Sequence, residues 1–289
     1  MHEPVPDSRV DVIHIVRPPQ EILVHQRLGA LTLLWNNSSL RKTLVLVCLA
    51  LLWEGYASWQ DNPLIFPTLS ETLQAFWSGL LDGKIIWATW SSIKVLLQGY
   101  IAGMFFAAIL TAFASATRIG SDFLETLTAM FNPLPSIALL PLAMIWFGLG
   151  EGSIVFVLIH AVLWAVALNT HAGFRSVSPT WRMVGQNYGL SATGYVRHIL
   201  IPGALPSILT GLKIGWAFAW RTLIAAELVF GASSGQGGLG WFIFQHKNML
   251  DIPNVFAGLL TVILFGLLVE NLVFKTLERR TVVRWGMQS

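Results

Sequence analysis

One arginine stands inside a long apolar stretch: Arg221, in Trp216-Ala217-Phe218-Ala219-Trp220-Arg221-Thr222-Leu223. A guanidinium presents a planar fork of N–H donors that matches carboxylate, sulfonate or nitrate oxygens. Ionisable side chains in apolar helices are costly and face protein or water. Arg221 is therefore expected either to attract an anion along a pathway or to close a structural ion pair with Glu54, Glu227 or Glu270. Glu227 lies six residues further on, so the two do not share a helix face. Glu227 also directly precedes a glycine-rich stretch and is placed to set the end of its helix. His160 is a lone histidine on an apolar helix, where a satisfied packing role is the default and a ligand role the alternative. Trp146, Trp164, Trp216 and Trp220 suit the lining of a cavity, and equally suit plain packing. Arg221, Glu227, Trp146, Trp220 and His160 are the candidate pathway residues. The single cysteine, Cys48, excludes a disulfide framework or a cysteine-based metal site within one chain.

The elements that position these residues follow from composition. Of 289 residues, 54% are hydrophobic and 11% charged, and the mean hydropathy is +0.63. Soluble domains carry about a quarter charged residues, so lipid is the expected solvent. The 13 Trp agree, because Trp anchors at membrane interfaces. Basic residues form no patch with interleaved aromatics, which argues against nucleic acid as a partner. Six segments are apolar over about the length a spanning helix needs. They run from Thr43 to Trp59, Ile93 to Thr117, Phe123 to Phe147, Ser153 to Phe174, Leu205 to Gly231 and Val255 to Phe274. The expected fold is an all-α membrane protein of about six transmembrane helices. The third segment is interrupted by Pro133, Pro135 and Pro141, either as a kinked packing helix or as a helix lining a pathway.

Residues 1–42 are polar, with Pro4, Pro6, Pro18 and Pro19, and lack the early apolar run of a signal peptide. They are expected to form a cytoplasmic arm, with an amphipathic helix possible from Pro19 to Trp35. Residues 43–275 then form the membrane domain and 276–289 a cytoplasmic tail. With the N-terminus inside, Arg41, Lys42, Arg118, Arg175, Arg182, Arg197, Lys275, Arg279 and Arg280 all fall on the cytoplasmic side, against Lys84 and Lys247 outside. Both termini are then cytoplasmic, as in a bacterial inner-membrane protein. On the outer side, Thr68 and Glu71 have capping-box spacing, and Leu69, Leu73, Phe76 and Leu80 follow at helical intervals, predicting a short amphipathic helix. The glycines of Gly231-Ala232-Ser233-Ser234-Gly235-Gln236-Gly237-Gly238 predict a tight non-helical path.

Between the fourth and fifth spans lies a long loop, residues 176–206. Ser178 can cap a helix with Pro179 at its first position, and Gly189 suits a left-handed stop after Tyr188. Ser191 can cap a second helix, which is expected to end before Pro202. The predicted product is a bent helix pair exposing Arg182, Gln186, Asn187 and Tyr188.

At this loop the sequence resembles the permease subunits of ABC importers. Gly189, nine residues, then Ile199-Leu200-Ile201-Pro202 has the spacing of their coupling motif, Glu-Ala-Ala, three residues, Gly, nine residues, Ile, one residue, Leu-Pro. Asn187-Tyr188-Gly189-Leu190-Ser191, Trp146-Phe147-Gly148-Leu149-Gly150, Asn169-Thr170-His171-Ala172-Gly173 and Ala225-Ala226-Glu227 are similar to the nitrate, sulfonate, taurine and bicarbonate group in particular. The Glu-Ala-Ala positions hold Met183-Val184-Gly185 instead, so the acidic residue is absent. The resemblance implies that Met183, Val184, Gly185, Gln186, Asn187, Tyr188, Gly189, Leu190, Ile199 and Pro202 dock a coupling helix into a separate ATP-hydrolysing subunit. It further implies two such subunits holding ATP and Mg, no cofactor on this chain, a second permease copy and a periplasmic or surface substrate-binding protein. The chain itself has no Gly-x-x-x-x-Gly-Lys-Ser/Thr phosphate loop.

Two other classes compete. An ion-gradient-driven secondary transporter predicts internal repeats and paired broken helices, and the two halves show no clear repeat. A membrane enzyme predicts clustered His, Asp or Glu, whereas His160 and His171 have no carboxylate pair beside them.

Overall fold

The computed structural model describes residues 37–230 and 237–283. The expected N-terminal helix from Pro19 to Trp35 and most of the glycine-rich path lie outside those residues. The chain divides into two units, 1–50 and 51–289. What is described of the first is the start of α1 (Ser38–Gln60), opened by Asn37, whose Oδ1 accepts the Ser39 N–H at 3.0 Å.

In the second unit, α1 ends beside α2 (Leu69–Leu81). The α2 N-terminus is satisfied twice over. Thr68 and Glu71 form the expected capping box, and Glu54 on α1 accepts from the backbone N–H groups of Leu69 (2.7 Å) and Ser70 (3.2 Å) and from the Ser70 hydroxyl. A carboxylate there also meets the positive end of the helix dipole. The buried side of α2 carries Phe76 and Leu80 of the expected face, packed against the core, with Leu69 half-buried. Thr72, Ala75 and Gly79 complete that side, and of the expected residues only Leu73 is exposed.

The helices that follow are α3 (Lys84–Ala116), α4 (Arg118–Phe131), a 3₁₀ turn (Ser136–Leu139), α5 (Leu140–Phe147), α6 (Glu151–Ser176), α7 (Pro179–Asn187), α8 (Ala192–Tyr195), α9 (Ile201–Phe230), α10 (Leu239–Asn248), α11 (Ile252–Val269) and α12 (Lys275–Glu278). Four helical runs are long and apolar enough to cross a membrane: Lys84–Ala116, Glu151–Ser176, Ala192–Val229 and Ile252–Val282. A fifth arises if α4 and the 136–147 segment, bent by 86° at Pro133 and Pro135, form one broken span. Of the six expected segments, the first, now α1, is helical over 23 residues but carries Arg41, Lys42 and Glu54 around its apolar run and does not join that set.

α6 is the axis of the core, packed against α3 on one side and α9 on the other. Glycine repeats allow the close approach. A Cβ at Gly99 or Gly103 of α3 would sit 2.4 Å from Leu158 Cβ or 2.7 Å from Val162 Cβ. On α9, Gly211 faces Asn169 and Gly215 faces Val166 in the same manner. Backbones can then approach where lipid offers no hydrophobic drive to associate.

The expected stop before Pro202 does not occur. The chain runs helically from Ala192 to Val229, 38 residues, through Pro202 and Pro206. A π-helical turn at Val196–Leu200 precedes the prolines. Proline cannot donate to the helical ladder and its ring crowds the preceding turn, and a wider turn just upstream is one way to absorb that. The C-terminal run likewise stays helical to Val283, past the expected end of the last span.

Candidate functional site

The bend at residue 189 is built by local rules. Ser178 Oγ accepts from Thr180 N–H at 3.3 Å with Pro179 opening α7. At the far end Leu190 N–H reaches Gly185 C=O and Gly189 N–H reaches Gln186 C=O, both at 3.0 Å, with Gly189 at φ +67°. That pair of bonds is a Schellman stop, which favours glycine because its left-handed conformation strains any residue with a Cβ. Ser191 Oγ then accepts from Gly194 N–H at 3.2 Å to start the next helix. The two arms close on each other at Gly185, where an added Cβ would lie 3.0 Å from Ile199 Cδ1 and 3.2 Å from Tyr195 Cδ2. Trp181, Met183 and Tyr188 point outward, Tyr188 being 82% exposed. The bend thus offers an apolar and aromatic knob held rigidly at the end of the α9 run.

Arg221 lines two cavities. One, of about 290 Å³, lies against the proline break and is lined also by Asn132, Ser136, His160, Trp164 and Thr222. The other, about 460 Å³, is bounded by Lys213, Trp216, Trp220, Glu270 and Phe274 among others. The Arg221 Nε donates to Ala217 C=O at 3.0 Å, and its guanidinium lies 5.4 Å from the Phe218 ring centroid. None of the three carboxylates named as candidate partners pairs with it. Glu54 caps α2, Glu227 is bound elsewhere, and Glu270 pairs with Lys213 at 2.8 Å. Among the described residues Arg221 has no ion-pair partner.

Residues 99–283 match the family described as the inner membrane component of binding-protein-dependent transport systems. The chain belongs to this family. The taurine transport system permease protein of Escherichia coli is 30% identical over 274 residues, 90% of this chain and 96% of that one. The nitrate import permease protein of a Synechocystis species is 26% identical over 250 residues (84% and 90%). The bicarbonate transport system permease protein of Synechococcus elongatus is 26% identical over 195 residues (68% and 69%).

The protein is a multi-pass permease subunit, not an enzyme, and ATP hydrolysis in such importers belongs to separate subunits. Of the remaining candidate residues of this permease, His160 and Trp220 each share a cavity with Arg221, while Trp146 and Glu227 do not. Trp220 is buried, its Nε1 donating to Val262 C=O at 3.3 Å. Trp146 is exposed on α5, edge-on to Phe156 and away from both cavities. Glu227 is 5% exposed and lines neither cavity. Its two oxygens bracket Ser92 Oγ at 2.8 Å, and one accepts Gly240 N–H at 2.8 Å. Ser92 Oγ in turn accepts Leu239 N–H at 2.8 Å. Glu227 therefore ties α9 to α3 and caps α10, the arrangement its position before the glycines suggested only in part. Ser92 had no sequence signal, since it lies 135 residues from its partner. Asn132 and Ser136, beside the prolines of the break, carried no signal of their own either.

Proposed function

We propose that this permease is the membrane channel of an ATP-driven importer for a small anion of the taurine, sulfonate, nitrate, bicarbonate or carboxylate type. The observation that carries the anion assignment is Arg221, a guanidinium set in an apolar helix beside two cavities and matched by no carboxylate. The similarity to taurine, nitrate and bicarbonate permeases points the same way. The bend at 183–190, with Ile199 and Pro202 behind it, docks a partner ATPase, which holds ATP and Mg. Two ATPase subunits and a periplasmic or surface binding protein complete the importer. The pore forms between two copies of the chain. Support comes from Lys213, Arg221 and Glu270, each incompletely buried on membrane-crossing helices, where charge requires protein or water beside it rather than lipid. Both termini and the 176–206 loop lie on the cytoplasmic side of the inner membrane, following the excess of Arg and Lys there.

The test is reconstitution in vesicles with the ATPase and binding protein. ATP-dependent accumulation of radiolabelled taurine, nitrate or bicarbonate is expected, and disruption of Tyr188 to Leu190 should abolish both uptake and ATPase co-purification. Accumulation by this chain alone, driven by an ion gradient without nucleotide, would refute the proposal in favour of a secondary transporter.

A further inference from the structure

The bend at residue 189 carries one sign of charge. Between Glu151 and Glu227 the chain has no Asp or Glu, so the 176–206 loop holds Arg182 and Arg197 with no carboxylate of its own. One arginine stands on each arm, Arg182 on α7 and Arg197 in the π turn that follows α8. Both are exposed, and neither has an ion-pair partner among the described residues. The other segments assigned above to the same side of the membrane mix the signs. Arg118 is followed by Asp122 and Glu125, and Glu278 stands among Lys275, Arg279 and Arg280. Glu125 also pairs with Arg175 at 2.6 Å. Orientation in the membrane accounts for arginines on the inner side, but carboxylates weigh little in that rule. Their absence from the bend therefore has another cause.

Position 183 sharpens the point. The coupling motif has Glu where this chain has Met183. Met183 is 59% exposed, so a carboxylate there would stay solvated and would not disturb the bend. What disfavours it lies outside the chain, on the surface that the bend meets. Interfaces are sorted by sign, because like charges brought face to face are costly and exclude wrong partners. The exposed residues of the bend are also of the kinds enriched in protein interfaces, namely Trp, Tyr, Met and Arg, here Trp181, Arg182, Met183, Tyr188 and Arg197. A lipid surface is the other anionic candidate. Recognition of anionic lipid takes clusters of about four to eight Lys or Arg, and the bend has only Arg182 and Arg197.

We infer that the ATPase groove receiving this bend is apolar at its floor and acidic at its rim. Its carboxylates face Arg182 and Arg197, and no cation faces residue 183. The inference rests on the docking proposed above and adds to it the chemistry of the partner. An ATPase whose groove holds a base for the motif's Glu is then a mismatched partner for this permease, and the sign of the rim selects the correct one.

The full chain is purified with the ATPase of the uptake assay, and retention of the ATPase is titrated with KCl. Met183→Glu is compared with Met183→Gln, which removes the same apolar contact without adding charge. Met183→Glu should hold the ATPase about tenfold more weakly than Met183→Gln at low salt, and about 1 M KCl should erase the difference. Arg182→Gln combined with Arg197→Gln should weaken retention about tenfold and flatten its salt dependence. Lys84→Gln, in an exposed pair with Asp82, should behave as the unaltered chain does. Hydrogen exchange over 179–200 should be the same in every variant, since the altered side chains are exposed. Equal retention by Met183→Glu and Met183→Gln, or stronger retention by Met183→Glu, would overturn the inference. So would arginine variants that keep the ATPase but lose binding to phosphatidylglycerol vesicles, because the two arginines would then serve the membrane. If ATP-driven uptake persists in either case, only the sign of the groove falls. An unaltered chain that retains no ATPase would instead remove the docking itself.

Discussion

Replacing Glu227 by alanine removes the acceptor on which the start of α10 depends. Gly240 N–H would then be left without a partner, costing about 1–3 kcal/mol, and the Ser92 hydroxyl would lose its bond for about 1 kcal/mol more. The space vacated among Gly238, Gly240 and Ile224 adds a cavity contribution. The sum is a destabilisation of about 3–5 kcal/mol. Glu227→Gln is far milder. Its carbonyl can still accept Gly240 N–H, and its amide can donate to the second lone pair of Ser92 Oγ, so about 1–2 kcal/mol is expected. Thermal unfolding of the purified permease gives the global loss. Hydrogen exchange over Leu239–Asn248 gives the local one, with Ala far faster than Gln and Gln close to the unaltered chain. Equal protection of that helix in the Ala and Gln variants would refute the reasoning, because the capping role would then be immaterial.

Gly185→Ala should be nearly neutral, since its Cβ meets only side-chain atoms of Ile199, Tyr195 and Leu190 that need give by a few tenths of an ångström, and it gains about 1 kcal/mol of helix propensity; Gly185→Leu should part the two arms of the bend and abolish ATPase co-purification. Asp251, just before α11, is partly buried, which alone would raise its pKa, but hydrogen bonds from Asn254 and His246 win and hold it below its ordinary value. A carboxyl with a lowered folded pKa stabilises above its unfolded value and loses that contribution as pH falls through the folded one. Exchange protection over 246–254 should therefore drop on acidification below about pH 4, and Asp251→Asn should remove the pH dependence.

What was legible in the sequence was local or periodic. Ser178, Gly189 and Ser191 announced the bend because caps and left-handed stops are decided by two or three neighbouring residues. Hydropathy located the central membrane helices for the same reason, although α3 begins nine residues before the expected Ile93. Pro202 misled, because proline ordinarily ends a helix while here a π turn precedes it and the helix goes on. The inward face of α2 was legible from Phe76 and Leu80, with Leu73 alone pointing out. The pairing of Lys213 with Glu270, Ser92 with Glu227 and the convergence of His160, Trp164 and Arg221 depend on contacts between helices far apart in the chain. No spacing rule reports those.

The uninterrupted helix from Ala192 to Val229 has a mechanical consequence. Twenty-nine residues separate its first turn from Arg221, roughly 40 Å at the rise of an α-helix. A push or tilt that reaches Ala192 meets no break in the helix before it arrives at the guanidinium. On the docking proposed above, the rod behind the bend carries Arg221 partway along, so movement of its first turn would be passed to the two cavities that this side chain lines.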